Sequence, residues 1–136
     1  MREVFDSFAG FDDFLAYLGV SLVLLGVFTA LYIRITPYAE FALIREGNMA
    51  ASFSLSGSML GFIVPLCAAV EHSVSLVDMA IWGVIAMLVQ LAAFVAVKIM
   101  IPHITQDIPA GKGAQGFFLG TLSLGVGLLS AACMSF

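Results

Sequence analysis

Residues 50–66 read AASFSLSGSMLGFIVPL. The run is apolar enough to enter a bilayer, yet Ser52, Ser54, Ser56 and Ser58 alternate through it, with Gly57, Gly61 and Pro65 close by. A helix that only had to dissolve in lipid would be rich in leucine. On a wheel of about 100° per residue, Ala50, Ser54, Gly57, Ser58, Gly61, Pro65 and Ala68 share one face about 120° wide. Phe53, Leu55, Met59, Leu60, Ile63 and Leu66 cover the remainder, and Ser52 and Ser56 lie with them. The stretch therefore reads as a membrane span with one small-residue packing face. Burial from water cannot drive helices together in lipid, so close backbone approach and hydroxyl bonds must do so.

The rest of the chain has the same character. Its 136 residues are 62% hydrophobic and 10% charged. That is too little charge to cover a water-soluble domain. Four apolar stretches, about 14–34, 49–70, 77–97 and 114–135, each approach the ~20 residues that a helix needs to cross the hydrocarbon core. The expected fold class is all-α, a single four-span membrane domain over 1–136. No period-two alternation supports a barrel. The opening MREVFDSFAGFDDF is acidic, unlike a signal peptide. Residues 1–13, with Phe5, Phe8 and Phe11 recurring among acids, read as an interfacial segment or as an extension of the first span. The net charge of −4 sits mostly in the loops and gives no reason to expect a nucleic-acid partner.

Charge sets the orientation. Arg34 and Arg45 flank the first loop and Lys98 and Lys112 the third, whereas Arg2 stands alone on the other side. Basic residues mark the cytoplasmic side, so both termini and the 71–77 loop are expected in the periplasm. In the first loop, Thr36 is expected to cap a helix with Pro37 at its first position and Gly47 at its end. Tyr38, Phe41 and Ile44 would then lie along the membrane surface.

The two halves resemble each other at an offset of about 64 residues: Gly19 with Gly83, Arg34 with Lys98, Gly47 with Gly111, Ala50 with Ala114, Gly61 with Gly125. Two spans per half make this a parallel repeat, about 14–70 and 77–135, with its pseudo-twofold along the membrane normal.

The fourth span carries small residues on two faces. Gly113, Gly116, Gly120, Ser123, Gly127, Ser130 and Ala131 form one; Ala114, Thr121, Gly125 and Ala132 form another. Narrower stripes run along the first span (Ala16, Gly19, Gly26, Ala30) and the third (Gly83, Ala86, Gln90, Ala93). The expected helix-packing residues are thus Ala50, Ser54, Gly57, Ser58, Gly61 and Pro65 against Gly116, Gly120, Ser123 and Gly127. The second and fourth helices would be central and the first and third peripheral. A spare small face on the fourth helix implies a homo-oligomer. Pro65 removes a backbone bond near Gly61 and permits a bend.

Chemistry is sparse. Gln90 is the one amide deep in the third span; it reads as interhelical glue first, and with Thr121 as part of a polar path second. No carboxylate or basic residue lies at mid-membrane, which argues against proton-driven transport by this subunit alone. Cys67 and Cys133 read as small hydrophobes, with a disulfide the alternative. His72 and His103 fall on opposite sides of the membrane and cannot share a metal. Lys112 in AGKGAQG reads as a headgroup or orientation contact. No catalytic constellation is visible, so the chain reads as a non-enzyme without metal or cofactor.

The segments ITP at 35–37, AASFSLSGSMLGFIVPL, IWG at 81–83, Gln90-Leu91, GFFLGTLSLGVG and the terminal AACM resemble the YjfL-like bacterial inner-membrane proteins, the family called domain of unknown function 350. The resemblance covers the chain from about residue 14 onward. It implies a small multi-span protein of the bacterial inner membrane. It also implies neighbourhoods near polyamine-type enzymes and envelope-stress genes, and brings no catalytic residues. The expected function is an oligomeric channel-like or scaffold component, with other envelope proteins as further partners. The alternative is a small-solute or ion transporter subunit with a polar path near Gln90.

Overall fold

The computed structural model describes residues 2–134, without the side chains of Arg2, Asp6 and Ser7. Ser135, where the fourth expected span ends, lies outside the described residues, as do the side chains behind the charge reading at Arg2 and Asp6. The described chain is helical throughout and holds no strand: α1 (Arg2–Phe8), α2 (Phe11–Ile35), α3 (Glu40–Arg45), α4 (Met49–His72), α5 (Leu76–Met100), α6 (Ile104–Asp107) and α7 (Gly113–Cys133). Helices α2, α4, α5 and α7 are long and apolar enough to span a membrane. At 1.5 Å per residue they run about 31 to 38 Å.

Local chemistry explains the boundaries. Gly47 takes φ +85° and Gly111 φ +80°, the left-handed turn that ends α3 and precedes α7 without a Cβ penalty. Asn48 caps α4 by accepting from Ala51 N at 2.9 Å. The Asn48 Nδ2 donates to the Ile108 and Pro109 carbonyls at 3.0 and 3.3 Å, tying the α3–α4 corner to the α6–α7 corner. Ser75 caps α5 by accepting from Asp78 N at 3.1 Å, and Asp78 accepts in turn from Val74 N at 3.2 Å. Lys112, read as a headgroup contact, pairs with Asp107 at 3.3 Å.

The first loop differs from expectation. Thr36 is the C-cap of α2, not the N-cap of a following helix, and α3 begins only at Glu40. Tyr38 turns inward and is buried, so only Phe41 of the three proposed surface residues stays fully exposed.

Helix α4 is the axis of the bundle. Half of its span is buried, against 11% for α2. α4 and α7 form the most intimate pair, while α5 packs on α2, α4 and α7. α5 is consequently more enclosed than α7, which corrects its peripheral placement. α4 also buries Leu55, Phe62 and Leu66, although the wheel sets Leu55 and Leu66 outside its small-residue face. Phe62 stacks on Phe28 of α2 at 4.8 Å between ring centroids.

The small stripe of α2 faces away from the bundle. Ala16, Gly19, Gly26 and Ala30 are all exposed, and α2 is held instead by Leu24, Phe28 and Tyr32. The stripe pattern signals that a close neighbour is tolerated and does not say which neighbour.

Candidate functional site

The α4–α7 seam is backbone laid on backbone. A Cβ built on Gly57 would lie 2.3 Å from Gly120 Cα; on Gly116, 2.3 Å from the Ala50 carbonyl oxygen; on Gly120, 2.3 Å from that of Phe53; on Gly61, 2.3 Å from that of Ser123. On Gly127 it would lie 2.0 Å from the Gly61 oxygen. Where such a Cβ is missing, a Cα–H can approach a carbonyl, a weak bond of about 0.5–1 kcal/mol. Pro65, fully buried inside α4, has no N–H, so the Gly61 carbonyl lacks its intrahelical donor. Gly127 of α7 is what covers that oxygen.

The hydroxyls on this seam are buried too. Ser54, Ser58 and Ser123 are sealed from the surface. Ser58 Oγ meets Ser123 Oγ at 3.4 Å, and Ser54 Oγ donates to Ala51 O at 3.1 Å. Gln90, 2% exposed, donates from Nε2 to the Ser123 carbonyl at 3.1 Å, while its Oε1 has no partner. Ser58, Ser123 and Gln90 stand nine or ten residues from the nearer ends of their helices, about 14–15 Å deep and near the middle of a ~30 Å core. Thr121 is not brought to this group. It is exposed on the far face of α7, with Ala114 and Ala132.

Towards the α3–α6 end the polar line continues into residues that the spans alone do not reveal. Tyr32 is 1% exposed, packed edge-on against Phe94 at 5.5 Å, with its hydroxyl beside Ser54 and Ser58 but bonded to neither. The Tyr38 hydroxyl is likewise buried and unbonded, near Ser54. Glu40 has no exposed surface. Its Oε1 meets Thr36 Oγ1, and its Oε2 has no partner. Burial pushes the Glu40 carboxyl up to about 7, with the Thr36 contact acting the other way. Burial, then Tyr32 and Glu40, push the Tyr38 phenol up as well.

An acidic side chain thus enters the bundle from the first turn of the short helix α3, outside the four spans whose charges the sequence displays. The signal present in the sequence is TPYAE at 36–40: a hydroxyl four residues before an acid, in a loop with an aromatic between them. Cys67 and Cys133 are free and exposed. Among the described residues no three His, Cys, Asp or Glu side chains are grouped to hold a metal. Surface grooves lie between α2 and the His72 half of α4, beside Trp82 and Cys133, and along the open edge of the α4–α7 seam over Gly57, Gly120 and Thr121.

Comparison with known proteins fits a membrane fold of this kind. The family described as Domain of Unknown Function (DUF350) matches residues 6–134. The chain is similar to the UPF0719 inner membrane protein YjfL of Escherichia coli (strain K12), 37% identical over 133 residues that cover 98% of each chain. It is also similar to the UPF0719 transmembrane protein YshE of Bacillus subtilis (strain 168), 27% identical over 119 residues, 86% of this chain and 89% of that one. No solved structure matches. With four apolar spanning helices and these relatives, the chain is a multi-pass inner-membrane protein and belongs to the DUF350 family.

Proposed function

We propose that this chain is a non-enzymatic membrane component that works as a channel-like homo-oligomer, built from two parallel helix pairs with both termini in the periplasm. The observation that carries the oligomer is the pair of unused small-residue faces, Gly19 and Gly26 on α2 and Gly125 on α7, where a Cβ would meet nothing within 4 Å. Glycine within a helix is about 1 kcal/mol less favourable than alanine. Inside one subunit nothing offsets that cost, whereas a second copy seated on the α2 or α7 stripe would. Faces on two different helices suit a heterologous contact that closes into a ring. The left-handed glycines at 47 and 111, in equivalent corners, support the repeat. The exposed Phe5 and Phe8 on α1 support an interfacial N-terminus.

Gly125→Leu and Gly26→Leu are expected to leave each subunit folded and to lower the oligomer mass in mild detergent. Unchanged assembly in both variants would remove the proposal.

A second reading, a path for an ion or small solute, is favoured by one observation: the unpartnered Gln90 Oε1 at mid-depth. A buried polar atom without a partner commonly costs about 1–3 kcal/mol, so function is a reason to keep it. Gln90→Leu is expected to abolish flux in proteoliposomes while changing stability by less than about 2 kcal/mol. Undiminished flux in that variant would leave Gln90 as glue alone.

A further inference from the structure

We propose that Glu40 is an internal proton-binding site, loaded from the α3–α6 end of the bundle. The inference goes beyond the oligomer and requires no neighbouring subunit.

The geometry around Thr36 carries it. Thr36 Oγ1 stands within hydrogen-bonding reach of the Ile33 carbonyl, at 3.1 Å, and of Glu40 Oε1. A carbonyl and an ionised carboxylate both accept, and a hydroxyl has one proton to give. An ionised Glu40 must share the single Thr36 proton with the Ile33 carbonyl, whereas a protonated Glu40 can donate to Thr36 Oγ1 and leave that proton for Ile33. The other carboxyl oxygen, Oε2, is buried without a partner. The ion pair of Lys112 with Asp107 does not involve Glu40 and leaves it uncompensated. A buried, unpaired carboxylate is strongly disfavoured, and protonation is the usual escape.

The surroundings fit a proton better than a larger ligand. The titratable groups that face Glu40 are Tyr32 from α2 and Tyr38 from the turn before α3. α4, packed on α3, presents Ser54 to both phenols and Ser58 to Tyr32. Arg34, Arg45 and Glu46 are exposed. The grooves beside Trp82 and Cys133, beside Leu18 and Cys67, beside Tyr17, over Phe53 and Gly120, and beside Phe118 and Gly125 do not include Glu40, Tyr32 or Tyr38. A proton needs no such space.

Beyond the Ser58–Ser123 pair and Gln90 the interior turns apolar, with Phe62, Leu66, Ala69 and Met79 filling it.

The test is infrared spectroscopy of the full chain in lipid vesicles, with glutamate isotopically labelled to mark its carboxylic-acid C=O stretch. A protonated glutamate signal is expected at pH 6, titrating near neutral pH and absent in Glu40→Gln. No protonated glutamate in the wild type at pH 6, or an unchanged signal in Glu40→Gln, would overturn the proposal. The wild-type titration decides even if the variant folds poorly. In vesicles of known orientation, a pH jump on the α3–α6 side is expected to move the signal; a response only to the opposite side would sink the loading direction.

Discussion

Replacing Gly127 by leucine is expected to destabilise the folded chain by more than about 3 kcal/mol, at the far end of what overpacking usually costs. The first side-chain carbon would sit 2.0 Å from the Gly61 oxygen, a backbone atom with no rotamer to change. Relief to an ordinary C···O distance of about 3.3 Å requires the helices to part by roughly an ångström. Parting them at Gly127 also loosens the contacts at Gly57, Gly61 and Gly120, because all lie on one rigid rail. It strips the Gly61 carbonyl of the cover that Pro65 made necessary. SDS titration of the protein in mild-detergent micelles measures the loss. Gly125→Ala, two residues away on the open face, is the control and is expected to stay within about 0.5 kcal/mol of the parent. Equal stability of Gly127→Leu and Gly125→Ala would mean that the seam is not what holds the bundle.

Stability of the wild type is expected to fall by about 3 kcal/mol between about pH 4.5 and pH 7 through Glu40 alone, because each tenfold difference in proton affinity between folded and unfolded chain is worth about 1.36 kcal/mol. The sign follows from proton binding. The folded carboxyl titrates near 7 and the unfolded one near its ordinary 4.5, so between these values the folded chain holds more protons. The contribution is present in full below about 4.5 and is lost as pH rises through 7. Glu40→Gln, a neutral isostere, is expected to flatten the profile over that window. Unfolding midpoints measured across the window and on either side of it, for both proteins, supply the comparison. A wild-type profile that rises with pH across the window would show that the native state prefers an ionised Glu40.

The four spans are legible from sequence because membrane insertion depends on summed apolarity over a fixed length, and that sum is local. The face of α4 could also be drawn on a wheel, since a regular helix turns residue number into direction. What could not be drawn was the use of each face. Ala16, Gly19, Gly26 and Ala30 make as clean a stripe as Gly83, Ala86, Gln90 and Ala93, yet α2 turns its stripe outward and α5 turns its own inward. Leu24, Phe28 and Tyr32 offered α2 more contact with the bundle than its glycines did. Glu40 was hidden for a different reason. Its burial depends on a turn at 36–39 that folds the chain back under α4, and a loop has no period from which to read direction.

The seam between α4 and α7 also dictates an order of events during synthesis. The last residue of α7 follows the end of α4 by about 60 residues, and at roughly 5–20 residues per second α4 waits several seconds for it. Through that interval Gly57, Gly61 and the uncovered Gly61 carbonyl face lipid or the insertion machinery. Ser54 is already content, because its hydroxyl bonds to Ala51 of its own helix. Ser58 and Gln90 must wait for Ser123. The nascent protein therefore has only the contacts among α2, α4 and α5 until its final helix arrives, and a chain that stops short of Gly127 is expected to be inserted without its closest helix pair.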